Sequence, residues 1–218
     1  PDDVTKDSPP PHLQPLHSRV HAELDLAERF FDHGEIARGG MAWVYRVRDR
    51  ATGTPLALKQ LAPQASRKLS ALFELEYQTV AGLKHPRMVE VFEFGRDVHG
   101  AFYTMPLLPG EPLSQLGPLP FREVCGYLRD AAEGLALLHV RRLVYRDVCP
   151  RSLWRTPDGR VQLVDFSGLV AFGPADQLIG TPPYVPPEAQ KGAALDGRTD
   201  LFALGATAYY LLTGSHAY

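Results

Sequence analysis

Four charged side chains in this sequence are candidates for chemistry: Lys59 in PLALKQL, Glu76 in LSALFELEYQTVAGL, Asp147 in YRDVCPRSLW and Asp165 in LVDFSG. Glu76 lies four residues after Leu72 and four before Val80, so a helix through this stretch places all three on one face. A carboxylate on an apolar face is costly unless paired, and Lys59 is the natural partner. Taken singly, a strand lysine and a helix glutamate read as ordinary solvated charges. One ammonium and several carboxylates brought together offer electrostatic chemistry: positioning a charged group and accepting a proton. The thiols offer less, since Cys125 and Cys149 stand beside no histidine and in no CxxC pair.

The elements that must position these groups change character along the chain. Between Phe30 and Leu108, MAWVYRVRD, PLALKQL, VEVFEFG and AFYTMPL are short, alternating or β-branched runs that predict strands. One helix interrupts them, with apolar positions at Leu69, Leu72, Phe73, Val80 and Leu83. After LPGEPLSQLGPLP the spacing becomes helical: Pro120 suits a first turn, and Val124, Tyr127, Leu128, Ala131, Leu135 and Leu138 form one stripe. The Pro-Asp-Gly of TPDGRVQLVDF is a turn before a strand with Val161, Leu163 and Phe166 on one side. DLFALGATAYYLLTG reads as a helix buried all round that ends near Gly214. The expected division is a Pro-rich linker over 1–18, a β-rich unit over 19–108 and a helical unit over 109–218.

Composition narrows the function. The chain has 218 residues, 44% hydrophobic and 22% charged, with a formal net charge of -2. That is an ordinary globular mixture with no long basic run, so neither nucleic acid nor an anionic membrane is expected as a partner. The longest apolar-rich stretch, Leu201 to Leu212, is shorter than the roughly 20 residues that cross a bilayer. Two cysteines are too few for a disulfide framework, which favours a cytoplasmic setting. The opening PDDVTKDSPPPHLQPLHS carries five prolines and reads as an extended lead-in within a longer protein.

IARGGMAWVYRV, LALK, YRDVCPRS, DFS, GTPPYVPPE and DGRTDLFALG occur in the order of the protein-kinase signatures. From about Phe30 onward the chain resembles a bacterial Ser/Thr protein kinase. The resemblance implies an α+β bilobal fold, a β-rich lobe over a helical lobe, with ATP in the cleft and a protein as the other partner. It implies that Lys59, oriented by Glu76, holds the α- and β-phosphates. Asp147 would receive the substrate hydroxyl proton, and Asp165 would bind Mg²⁺ or Mn²⁺. Thr181 matches the threonine that touches the catalytic aspartate in Ser/Thr kinases. Ala37 and Gly39 fall in the phosphate-covering loop. Val44, Ala57, Met105 and Leu108 match the adenine site, with Trp154 below it. Val80, Val91, Tyr145 and Phe166 match the stacked residues that join the lobes, and Asp200 the anchor of the catalytic loop.

Several positions depart from that pattern. Ser152 replaces the asparagine of the second metal site and is the expected, weaker, ligand there. Cys149 replaces a lysine near the transferred phosphate. Alanines stand at Ala37 and Ala42 in the glycine loop, and Ser167 replaces the glycine of DFG, with Gly168 next to it. Trp154 either stacks on adenine or fills its site. Between Gly168 and Ile179 there is no Ser, Thr or Tyr, so no phosphosite of the usual kind. Family members continue past this point with helices that supply an arginine to the glutamate matched by Glu188. The alternative to an active kinase is a pseudokinase that senses nucleotide or scaffolds a partner; a related small-molecule phosphotransferase is disfavoured by GTPPYVPPE.

Overall fold

The computed structural model describes residues 26–174 and 179–218, so the lead-in expected over 1–18 lies outside the described residues. After a short helix, α1 (Leu26–Arg29), the alternating segments form β1 (Phe30–Arg38), β2 (Ala42–Asp49) and β3 (Pro55–Leu61). Helix α2 (Arg67–Ala81) follows, then β4 (Phe94–Asp97) and β5 (Gly100–Pro106). The five strands make one antiparallel sheet in the order β1-β2-β3-β5-β4. Register decides what shares a face. Lys59 lies opposite Val44 on one side and Tyr103 on the other, and Ala57 lies opposite Met105. Directly paired residues and those two apart project together, so these five side chains line one surface.

Ser66 caps α2 by accepting a hydrogen bond from the Leu69 amide. The buried face of α2 is Phe73, Glu76 and Val80. Leu72, expected on that face, is 37% exposed and Leu75 57% exposed, because the helix turns its Phe73 side to the sheet. The stretch VEVFEFG also differs from expectation: the regular strand starts only at Phe94, although Phe92 and Glu93 already bond the backbone of Thr104 in β5. Upstream, the Val89 amide donates to the Leu163 carbonyl instead, so this segment ties the sheet to the second half of the chain.

The helical half is built on α3 (Phe121–Val140), preceded by a two-residue strand, β6 (Glu111–Pro112). Its apolar stripe is buried at Val124, Tyr127, Ala131, Leu135 and Leu138, as the spacing predicts. Short strands follow: β7 (Leu143–Val144), β8 (Leu153–Arg155), β9 (Val161–Leu163) and β10 (Val170–Ala171). Strands β6, β8 and β9 form one small sheet; β7 and β10 pair separately. A single turn, α4 (Pro187–Gln190), leads to α5 (Gly197–Thr213). Asp196 caps the start of α5 and Gly214, at φ 75°, its end. Helix α5 is not buried all round: Ala203, Leu204, Ala206 and Leu211 face the core, while Leu201, Tyr209 and Leu212 are exposed. Only one side of the helix meets α3 and the loops among the described residues.

A single apolar cluster runs from Phe73, Val80, Val91 and Tyr103 through Tyr145 and Phe166 to Leu204, so the two halves share one core. Among the described residues no helix is long and apolar enough to cross a membrane.

The chain passes from β5 to β6 through Gly110, at φ 106°, where an added Cβ would lie 2.0 Å from the Arg155 carbonyl oxygen. No L side chain fits both that backbone angle and that contact. Gly110→Ala is expected to cost about 3 kcal/mol of unfolding free energy, read from a denaturant titration; a loss below about 1 kcal/mol would contradict this packing.

Candidate active site

Three elements converge on one ammonium. Lys59 Nζ, from β3, donates to Glu76 Oε1 of α2 at 2.7 Å, to Asp165 Oδ1 at 2.9 Å and to Ser167 Oγ at 2.8 Å. The Lys59 and Glu76 side chains are only 5% and 4% exposed, so this is a buried pair and not a solvated bridge. Burial opposes the charge on Lys59, but Asp165 and Glu76 outweigh it and hold the ammonium protonated well above the usual lysine range. Burial would likewise raise Asp165. The Lys59 charge and the hydroxyl and amide of Ser167 reverse that and keep the carboxyl well below the usual carboxylate range.

The loop carrying Asp147 is braced from α5. Asp200, fully buried, accepts the Arg146 amide on Oδ1 at 2.8 Å. Its Oδ2 meets the Tyr145 amide at 2.9 Å and His139 Nε2 at 2.8 Å. These bonds hold Arg146 at φ 69°, a conformation that a non-glycine residue adopts only when its surroundings impose it. Tyr145 packs edge-on against Phe166, with ring centroids 5.6 Å apart, and its hydroxyl accepts the Asp165 amide at 3.2 Å. The loop and Asp165 are thereby linked. Gly168 completes the junction: an added Cβ would sit 2.5 Å from the Tyr145 carbonyl oxygen.

Asp147 Oδ1 accepts both the Thr181 amide at 2.9 Å and the Thr181 hydroxyl at 2.7 Å. Its Oδ2 has Arg151 at 3.8 Å, a guanidinium on a largely exposed side chain. Burial raises the Asp147 carboxyl above its ordinary value, against the lowering effect of Thr181. Ser152 is 2% exposed. Its hydroxyl lies 2.5 Å from the Asp147 carbonyl and accepts the Cys149 amide at 3.1 Å. The buried Cys149 thiol touches this hydroxyl and the Thr181 hydroxyl. Position 152 thus contributes to the loop's own scaffold.

Val44, Ala57 and Met105 share the sheet face of Lys59, with Leu108 half-buried just beyond β5. Trp154 comes from β8, in the other half, and its indole N–H donates to the Pro109 carbonyl at 3.1 Å. In the β1–β2 turn the Gly39 amide donates to the Ala42 carbonyl at 2.9 Å. Among the described residues the non-glycine positive φ angles are at Asp32, Arg142 and Arg146, so Ala37 and Ala42 are unstrained. The donor set fits a nucleotide with a divalent ion. The apolar residues Val44, Ala57 and Met105 share the sheet face of Lys59, and the Asp165 side chain is 46% exposed, with Oδ2 unpaired among the described residues. No group of three or more His, Cys, Asp or Glu among the described residues could hold a metal alone. Asp165 Oδ2 would offer such an ion one carboxylate ligand.

Three contributors were not legible beforehand. Tyr103 donates to Glu76 Oε1 at 2.8 Å, but in sequence it is one more aromatic in a strand. The Ser167 hydroxyl reads as a lost glycine, not as a gained donor. His139 ends the α3 stripe and gives no sign of its bond to Asp200; only the order of elements would have suggested that the two meet.

The protein kinase domain family matches residues 30–218. The chain is 34% identical over 204 residues to the DNA damage-responsive serine/threonine-protein kinase RqkA of Deinococcus radiodurans, covering 87% of this chain and 30% of that protein. It is 34% identical over 200 residues to the serine/threonine-protein kinase PknL of Mycobacterium tuberculosis, covering 87% of this chain and 50% of the relative. It is 29% identical over 208 residues to the serine/threonine-protein kinase pkn2 of Myxococcus xanthus, covering 88% of this chain and 25% of the relative. The chain thus spans half or less of the length of these relatives. With its ionic groups assembled and the family match running over residues 30–218, the chain belongs to the protein kinase family, whose members use ATP and a divalent metal ion.

Proposed function

We propose that this domain is a Ser/Thr protein kinase that transfers the γ-phosphoryl group of ATP to hydroxyl groups of a protein substrate. The observation that carries this reading is the Lys59 ammonium within 3 Å of both Glu76 and Asp165. A scaffolding relic has no reason to bury and pair these charges in one place. When bound, ATP supplies the phosphoryl group and Mg²⁺ or Mn²⁺ the countercharge to its oxygens.

The chain's own residues do the rest by position. Lys59 presents its ammonium to the α- and β-phosphates, with Glu76 fixing its direction. Asp165 offers Oδ2 to the metal while Lys59 and Ser167 occupy Oδ1. Val44, Ala57, Met105 and Trp154 enclose the adenine, Leu108 offers it backbone groups, and Ala37 and Gly39 cover the phosphates. Asp147 accepts the substrate proton on Oδ2, because Thr181 holds Oδ1 with two donors. Ser152, expected to be the second metal ligand, fits better as a brace, since its hydroxyl is committed to the loop backbone. A second ion would find a weak ligand at Ser152, which would slow transfer. Thr181 supports Ser/Thr over Tyr as acceptor, and two unpaired cysteines support a cytoplasmic location.

The first test is transfer of labelled phosphate from ATP to a generic basic protein substrate, with Mg²⁺ and with Mn²⁺. Asp147→Asn is expected to reduce the rate by at least about 100-fold, the range of a lost general base. Equal, trace incorporation by both proteins would sink the kinase reading. A second test uses pH. The carboxylate of Asp147 is the working form and burial already raises its pKa, so the rate falls as pH drops through that value. Thr181→Val removes a donor that favours the carboxylate, and the acid limb of the rate profile is expected to move to higher pH. An unmoved limb would show that Asp147 is not the titrating base.

A further inference from the structure

Glu76 is held at the site by two donors, and they are not equivalent. Both reach the same oxygen: Lys59 Nζ at 2.7 Å and the Tyr103 hydroxyl at 2.8 Å. The other oxygen, Oε2, is buried and has no hydrogen-bond partner among the described residues. The ammonium is shared with Asp165 and Ser167, and phosphate oxygens entering the cleft would compete for it as well. Tyr103 faces no such competition. It is 1% exposed, and burial keeps its phenol protonated well above the usual tyrosine range, so it remains a donor. Its ring is also fastened to α2, with centroids 5.2 Å from Phe73 and 5.8 Å from Tyr77, and it lies 5.6 Å from Lys59 Nζ.

We propose that Tyr103 is a positioning residue: its hydroxyl locks α2 inward through Glu76, so that the Lys59–Glu76 pair stays assembled when phosphates draw on the ammonium. This rests on the kinase reading of the site. It gives the domain an internal means of holding α2 that needs no modification. The segment 168–179 contains no hydroxyl side chain, so phosphorylation within it cannot supply new charge-assisted contacts.

Tyr103→Phe removes the donor and keeps the ring and its aromatic neighbours, so the fold is retained. In the full chain without nucleotide, amide hydrogen exchange in α2 is expected to quicken about tenfold, the effect of one lost hydrogen bond to a charged group, while β2 and β3 stay unchanged. Phosphate transfer should then lose about tenfold in kcat with the KM for the protein substrate unchanged. Tyr77→Phe is the control: its hydroxyl bonds the Phe92 carbonyl and not Glu76, so kcat should stay within twofold of the parent. Exchange in α2 within twofold of the parent in Tyr103→Phe would overturn the lock, and so would an equal loss of kcat in the control. If the parent transfers no phosphate the kinase reading fails, and the exchange measurement alone still decides whether Tyr103 holds α2.

Discussion

Burying one ammonium is the constraint on which the arrangement of this protein depends. An unpaired charge at the depth of Lys59 would cost several kcal/mol, so the chain must bring it acceptors from elsewhere. Glu76 arrives on α2, and Asp165 and Ser167 arrive from the segment after β9. The strand sheet, the helix packed on it and the helical half therefore meet at a single nitrogen. The shared apolar cluster through Val80, Val91, Tyr145 and Phe166 supplies the packing that lets this happen away from water. Removing water strengthens the Lys59–Glu76 contact, whereas Asp165 reaches the same ammonium from a half-exposed position.

The second fixed point is Asp200. One buried carboxylate accepts two consecutive amides and a histidine, and so imposes a left-handed backbone at Arg146. That geometry turns Asp147 towards Thr181 and brings Tyr145 against Phe166. The strain in the loop is thus stabilised from α5, an element that contributes nothing to the cleft itself. The glycine at 168 is required for a related reason, since any side chain there would strike the loop's backbone.

Seen in this setting, the unusual residues of the site share a direction. Ser152 binds the catalytic loop, Ser167 binds Lys59 and Asp165, and Tyr103 binds Glu76. Each places a hydroxyl on a buried or half-buried carboxylate, on its cation or on the backbone of the loop. Ser152 and Ser167, which in sequence look like a lost asparagine and a lost glycine, act as internal braces. A hydroxyl fully used inside the protein has less capacity for a metal, so rigidity of the apo site is gained where ligand strength is given up.

Much was legible in one dimension. Strand alternation located β2, β3 and β5, helical spacing located α2 and α3 and set Glu76 apart on its apolar face, and the order of six short motifs pointed to Lys59, Asp147 and Asp165. These signals survive in sequence because they are local: a period of two or of 3.6, or a loop whose neighbours carry the chemistry. The rest depended on contacts between distant segments. Leu72 and Phe73 are both apolar, and only packing against the sheet decided which is buried. VEVFEFG has strand composition, but the Leu163 carbonyl took its Val89 amide. The sequence by itself determined which groups carry charge and in what order they come. Only the tertiary structure decided which hydroxyl meets which carboxylate, because a hydrogen bond spanning tens of residues leaves no period in the chain.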